Sequence, residues 1–388
     1  MNAKRIYYFD NNATTQPAPE VIEIVQDCLN KYWGNPSSGY DFARGVKQMI
    51  KAARQNIAAL LNAAPGEIVF TSGGTESINS AIYSAISCNE NKRHIVISSV
   101  EHHATLNFVK SLEIKGFKIT FLPVNSEGLI DLKIVEEAIT KDTAIVSVMM
   151  ANNETGVIYP VEEIAAICRA KKVLFHTDAV QALGKIPVDV KKMGVDFLSI
   201  SAHKIHSIKG TGALYVRAGR PFKPYIIGGN QEQGRRGGTE NTPGIIAFGK
   251  AAEIAFSRIG QVDRVRRLRD KLEDSLLRLI PGTYLNGAKN CRIPNTTNIS
   301  FSFVDSESIL YELDKAGVCA SSGSACSSGG IEPSHTLLAM GLSRQRAKSA
   351  IRFSLSYYNT EEEVDYLISI LPDIIKKLRA NSPLIFQL

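Results

Sequence analysis

The strongest constraint on this chain is an alternation of short apolar runs with helix-length amphipathic segments. The runs are Ile68–Phe70, Ile95–Ile97, Ile119–Leu122, Ala144–Met149, Val173–Phe175 and Phe197–Ile200. A strand with one wet face alternates polar and apolar residues. These runs barely do, so both faces of their sheet must be covered. Helical spacing separates most of them, at Ser77–Ile86, Thr105–Lys115, Leu132–Ile139 and Val161–Ala170. Two further helices come first. One opens at Pro19 with Val21, Ile24, Val25, Cys28 and Leu29 on one face; the other carries Val46, Met49, Ile50, Ala53, Ile57 and Leu60. The pattern predicts a large three-layer α/β domain with a mostly parallel sheet.

After Gly260 the texture changes. An Arg-rich helix is expected over Val262–Ile280, then a strand at Asn298–Phe303, a helix at Ser308–Ala316, a Gly/Ser-rich loop and a last helix at Thr360–Leu378. That order suits a smaller α+β domain, with the boundary near residue 260. A length of 388 residues allows two cores. With 44% hydrophobic and 21% charged residues, disorder and fibrous structure are excluded as the main state. The net charge of +7 permits nucleic-acid binding without requiring it. The simpler reading of the Arg-rich helix is a solvated face, and no nucleic-acid partner is expected. No targeting segment is visible, because Asp10, Asn11 and Asn12 interrupt any apolar region after Lys4 and Arg5. The longest apolar stretch, Thr143–Ala151, has strand length, so no membrane span is expected and the cytoplasm is the default. None of the six cysteines forms a C-x-x-C, so neither a disulfide framework nor a metal centre is expected.

Four segments could carry chemistry. Thr71-Ser72-Gly73-Gly74-Thr75-Glu76 falls between a strand and a helix, where glycines and free N–H groups could seat a phosphate. It could equally be a turn capped by Thr75. Asp178, in His176-Thr177-Asp178-Ala179-Val180-Gln181, sits just past an expected strand, where α/β sheets form their ligand crevice. It could pair with a protonated ring nitrogen or merely cap a helix. Lys204, in Ser201-Ala202-His203-Lys204, ends the next strand, and a lysine at such a mouth can serve as a reactive amine. An anion seat, a pyridinium partner and an amine together are what pyridoxal 5'-phosphate requires. The fourth segment, Ala320 to Gly330, contains no bulky side chain and one thiol, Cys326. Such a loop should be mobile and its thiol accessible and reactive. Cys319, in Gly-Val-Cys-Ala, reads as core.

Together these motifs resemble the NifS/IscS-type cysteine desulfurases, in the aminotransferase class V branch of fold-type I pyridoxal-phosphate enzymes. The resemblance begins at Tyr8-Phe9-Asp10-Asn11-Asn12-Ala13-Thr14-Thr15 and Gly34-Asn35-Pro36-Ser37-Ser38. It continues through Glu101-His102, Asn152-Asn153-Glu154-Thr155-Gly156, Gly237-Gly238-Thr239-Glu240-Asn241, Ser322–Cys326 and Ile351-Arg352-Phe353-Ser354, to a tail at Ser382-Pro383-Leu384. It implies a fold-type I enzyme with a large domain over 15–260 and a small domain over 1–14 and 261–388 bearing the thiol loop, about 320–332.

The resemblance also implies roles. Lys204 would hold the cofactor and take the α-proton of substrate cysteine. Asp178 would keep the ring nitrogen protonated. His102 would stack on the ring and handle protons near the substrate sulfur. Gln181 and Asn153 would bond the ring hydroxyl. Gly74, Thr75, Ser201 and His203 would seat the phosphate, and Thr239 would reach the phosphate of a neighbouring subunit, which implies a homodimer. Arg352 would bind the substrate carboxylate with help from Asn35. Cys326 would accept the sulfur as a persulfide and pass it to an acceptor, such as an iron–sulfur scaffold protein of the NifU/IscU kind. Ser207-Ile208-Lys209-Gly210 replaces the usual Gly-Pro-Lys-Gly, and Ser38-Gly39-Tyr40 and Phe42-Ala43-Arg44 also depart from the pattern. None of these changes removes a group the chemistry requires. A selenocysteine lyase and a catalytically silent scaffold-binding homologue are the alternatives.

Overall fold

The computed structural model describes residues 5–322 and 332–382. Seven strands form one sheet: β1 Ile68–Thr71, β2 His94–Ser98, β3 Lys118–Leu122, β4 Thr143–Ser147, β5 Leu174–Asp178, β6 Phe197–Ser201 and β7 Gly212–Val216. Their order across the sheet is β1-β7-β6-β5-β4-β2-β3. Neighbours from β6 through β5, β4 and β2 to β3 are parallel. Only β7 runs against its neighbours. The protein is an α/β molecule with a mostly parallel sheet, as the apolar runs require.

Two strands differ from the expectation. β7, Gly-Ala-Leu-Tyr-Val, was not among the expected runs, and it wedges between β1 and β6. β5 runs on through His176, Thr177 and Asp178, where the apolar reading stopped. Its neighbours satisfy this polar end. His176 Nδ1 pairs with the Ser147 hydroxyl at 2.8 Å and Nε2 with the Ser199 hydroxyl at 2.9 Å. A buried polar group costs little once bonded. The extension makes Asp178 the last residue of a strand rather than a loop residue.

Helices cover both faces. On one side α1 (Pro19–Lys31), α2 (Asp41–Leu60) and α5 (Thr242–Arg258) share a core with Val96, Val146, Phe175 and Leu198. On the other, α3 (Gly74–Ser87) and α4 (His103–Glu113) pack on Ile95, Ile97, Ile145 and Phe197. A second core gathers Phe9, Leu272, Leu276, Ile299, Phe301, Ile351, Phe353 and Leu371. It lies between α6 (Val262–Leu279), α7 (Glu361–Ala380) and an antiparallel sheet of β8 (Thr283–Leu285), β9 (Thr296–Phe301) and β10 (Ala350–Ser354). The N-terminal segment joins the two cores. Tyr7–Tyr8 pair in parallel with Val318–Cys319, Asp10 bridges to Ser354, and the Thr15 N–H donates to the His203 carbonyl. Cys319 is half-buried, not wholly core.

The Arg-rich helix α6 is more than a solvated face. Arg269 is buried and donates to the Ile293 and Thr296 carbonyls. Arg264 donates to the Tyr357 and Asn359 carbonyls, and Lys271 bridges to Glu361. Much of the charge therefore ties α6 to its own core. Among the described residues, no helix is long and apolar enough to cross a membrane.

Candidate active site

Ten of the expected site residues line one cavity of about 330 Å³: Gly74, Thr75, His102, Asn153, Asp178, Gln181, Ser201, His203, Lys204 and Arg352. They come from two strand ends (Asp178 and Ser201), two helix starts (Gly74 and Thr75, and His102), the segments that follow strands (Asn153, Gln181, His203 and Lys204) and β10 of the smaller sheet (Arg352). Asn12, Ala13, Ile78, Met149 and Val180 complete the wall. A parallel sheet opens its crevice at the carboxyl ends of the strands, and Asp178 and Ser201 are the final residues of β5 and β6.

The anion seat is the start of α3. The helix begins at Gly74, so its first N–H groups have no carbonyl of their own to meet. Thr75 lies in that first turn and does not cap it. Gly73 is the cap residue. Gly74 must stay small, since a Cβ there would sit 2.9 Å from Val180 Cγ2. At Gly212 of β7 a Cβ would come within 2.6 Å of Gly73 Cα, so this turn also needs its glycine neighbour. Glu76 closes the turn by accepting from the Ser72 N–H, and its charge is met by Arg236 at 3.0 Å.

Asp178 is 5% exposed and accepts a hydrogen bond from the Val180 N–H at 2.9 Å. Burial pushes its carboxyl up to about 6, partly offset by the Lys204 charge. A carboxylate so placed is complementary to a buried cation. His102 caps α4. Its Nδ1 accepts from the Ala104 N–H at 3.1 Å, so the neutral ring carries its proton on Nε2. Burial and the charges of Lys204, His103 and His335 hold the ring down at about 4, neutral at physiological pH. His203 is likewise lowered to about 4, first by burial, and its Nδ1 meets the Thr14 hydroxyl at 3.0 Å. Lys204 Nζ donates to the Asn12 and Ala13 carbonyls, each at 2.6 Å.

Arg352, 3% exposed, bridges to Asp10 at 2.7 Å and donates to the Asn153 carbonyl at 2.9 Å, while its Nε is buried without a partner. Beside it, the Ser321 carbonyl accepts from the Arg352 N–H at 2.6 Å. On the far side of 323–331, the Ser334 hydroxyl donates to Glu154, and His335 Nε2 bonds the Glu101 carbonyl at 2.9 Å. Both flanks of 323–331 are thus fastened to Arg352, which lines this cavity, or to Glu101 and Glu154, the chain neighbours of its lining residues His102 and Asn153. Cys326 itself lies outside the described residues.

Asn35 does not line the cavity: it is exposed, and its side chain accepts from the Ser37 N–H. Thr239, expected to reach the phosphate of a neighbouring subunit, lines a different crevice of its own chain, with Ser72, Arg236, Glu240 and Asn241. Conversely, Asn12 and Lys185 had no role in the sequence reading. Asn12 bonds Asn153, Thr296, Gln181, Lys185 and Lys204. Its place in the quoted Asp10–Thr15 motif was the available signal. Glu101 is buried, and burial pushes it up to about 8, so it stays protonated at neutral pH.

The aminotransferase class-V family model matches residues 7–367. The chain belongs to that family. A cysteine desulfurase of a Nostoc species is 50% identical over 379 residues, covering 97% of this chain and 95% of the relative. The cysteine desulfurase IscS of Clostridium botulinum is 44% identical over 381 residues, covering 97% and 96%. A solved NifS-like protein superposes with a TM-score of 0.91 at 39% identity, over 96% of this chain and all of the other. Class-V aminotransferase relatives of this kind depend on pyridoxal 5'-phosphate, and the cavity fits that group. A close-approach glycine and a helix start suit the phosphate, a buried acid suits a cationic ring nitrogen, and an amine stands beside both.

Proposed function

We propose that this protein is a cysteine desulfurase that converts L-cysteine to L-alanine and takes up the sulfur as a persulfide on Cys326. The carrying observation is the convergence of Lys204, Asp178, His102 and Arg352 on one cavity, with both flanks of the segment bearing Cys326 bonded to its lining residue Arg352 or to chain neighbours of the lining. From Ser321 to Cys326 is five residues, a tether of at most about 17 Å when fully extended.

Bound pyridoxal phosphate supplies the electron sink for the substrate α-carbon. The chain's own residues do the rest. The N–H groups at the start of α3, with Thr75, Ser201 and His203, would hold the phosphate, and Asp178 would place its charge against the ring nitrogen. Arg352 receives the substrate carboxylate, with Asp10 and the Asn153 carbonyl fixing its plane. Lys204 takes the α-proton. His102, neutral and protonated on Nε2, is a proton donor beside the departing sulfur. The Cys326 thiolate attacks that sulfur. The carbon–sulfur bond breaks, an S–S bond forms, and the carbon product gains protons to leave as alanine. Cysteine plus thiol becomes alanine plus persulfide, with no outside oxidant.

A second copy of the chain would bring Thr239 to its partner's phosphate, so we place the enzyme as a homodimer. A cytoplasmic enzyme feeding an iron–sulfur scaffold protein suits its IscS-named relatives. The test is sulfide and alanine release from L-cysteine with reductant, for wild type and Cys326→Ala. Equimolar products that vanish in C326A support the proposal. Full activity in C326A overturns the persulfide route and favours selenocysteine lyase. A purified protein that takes up no pyridoxal phosphate points to a silent homologue.

A further inference from the structure

Behind the cavity wall stands a lysine that the proposed chemistry does not use. Lys185 follows Gly184, which turns the chain with φ +70° after the segment carrying Gln181. Its Nζ donates to Gln181 Oε1 at 2.6 Å and to Asn12 Oδ1 at 3.0 Å. Gln181 Nε2 donates to the Asn12 carbonyl at 2.9 Å. Lys185 faces a second cavity, shared with Asn11, Asn295 and Lys204.

This arrangement settles the orientation of the Gln181 amide. The two ends of a glutamine amide are chemically distinct but similar in shape, and only partners decide between them. Here one end meets an amine, which donates, and the other meets a backbone carbonyl, which can only accept. Burial and the charges of Lys204 and Arg352 push the Lys185 ammonium well below its ordinary range. The donor role survives loss of the charge, because a neutral amine still has two N–H groups for these two oxygens.

We propose that Lys185 is a positioning residue: by holding Gln181 Oε1 from behind, it presents the Gln181 N–H donor, not the oxygen, to the ring oxygen of the bound cofactor. The inference rests on the cavity being a pyridoxal-phosphate site. With Oε1 tied down, one N–H of Nε2 goes to Asn12 and the second remains for the ring. Without Lys185 the amide can turn over and set its oxygen against the ring oxygen, replacing an attraction by a repulsion.

The experiment is a double-mutant cycle of Lys185→Met and Gln181→Leu on the full chain, stripped of cofactor and titrated with pyridoxal phosphate. Dissociation constant and visible absorbance maximum are read together. Lys185→Met keeps the stem and loses the amine. It should weaken binding about tenfold, the worth of one to two hydrogen bonds, and move the absorbance maximum. In the Gln181→Leu background the same change should do neither. Lys185→Gln can both donate and accept, so it should reproduce the spectral shift, and it serves if Lys185→Met fails to fold. Unchanged binding and spectrum in Lys185→Met overturn the inference, as does an equal effect in both backgrounds. A wild type that binds no pyridoxal phosphate overturns the site reading beneath it, which is a different and recognisable failure.

Discussion

The two ends of the cavity are built differently. At the cofactor end, Gly74, Thr75, Asp178, Ser201, His203 and Lys204 sit at strand ends or helix starts of one large sheet, each within a short motif. Around Arg352, the residues Asp10, Asn153, Ser321, Ser334 and Glu154 join it from four further segments through hydrogen bonds. The first end takes its positions from the sheet. The second is assembled, and the flanks of 323–331 are part of the assembly. Position at the first end is therefore local in sequence, while at the second it depends on how two cores meet.

Substitutions at the two ends should fail in different ways. Lys204→Ala, at the first end, should cost on the order of a thousandfold or more in turnover and abolish the visible absorbance of bound cofactor. Cys326→Ala should lose desulfurase activity as completely while leaving that absorbance intact. If both variants lose the cofactor, the separation of the two ends is wrong. Arg352→Gln should raise the KM for cysteine about a hundredfold with little change in cofactor affinity, as expected for a lost charge-assisted pair. Steady-state kinetics beside a cofactor titration would show whether the two effects separate.

Two buried carboxyls sharpen the comparison through pH. The folded value of Asp178 is about 6 against an ordinary 3.8. The native state therefore binds more proton than the unfolded one between these values, and stability falls as pH rises through that window. Asp178→Asn should stabilise the cofactor-free protein by up to roughly 3 kcal/mol at pH 7.5, and by about half that at pH 5. It should weaken cofactor binding at the same time. Denaturant unfolding at the two pH values checks the slope, and no gain would mean the acid is not strained by burial. Glu101 gives the smallest effect on activity. It is about 8 in the folded state, so it is a neutral acid at pH 7, and glutamine mimics that form. The Ser98 hydroxyl and the Met149 N–H would still find an oxygen. Glu101→Gln should keep activity within about threefold. Its stability advantage over wild type should grow from pH 4.5 upward and level off above pH 8.

The fold class was legible because both-face burial leaves a mark at every strand. β7 escaped because a run opening on glycine lacks that mark, and the end of β5 escaped because its polar residues are paid for by neighbours on other strands. The site motifs around Gly74, Asp178 and Lys204 were legible for the same local reason. Asn35 was expected at the cavity and stands apart from it, while the expectation for Thr239 concerns a second copy of the chain. Lys185 was invisible, since a lysine in a turn is ordinary until its partners are known.

The sequence by itself determined the covered parallel sheet, the glycine turn ahead of a helix, the acid and amine at strand ends, and the lone thiol among small residues. These are properties of spacing and residue type. Only the tertiary structure decided that Arg352 leans on Asp10, that the flanks of 323–331 are bonded to Arg352 or to chain neighbours of the cavity lining, and that Lys185 holds Gln181 from behind. The Arg352–Asp10 and Ser334–Glu154 bonds join residues more than a hundred positions apart and leave no local pattern, and the short step from Gln181 to Lys185 is unremarkable until folding brings Asn12 to both.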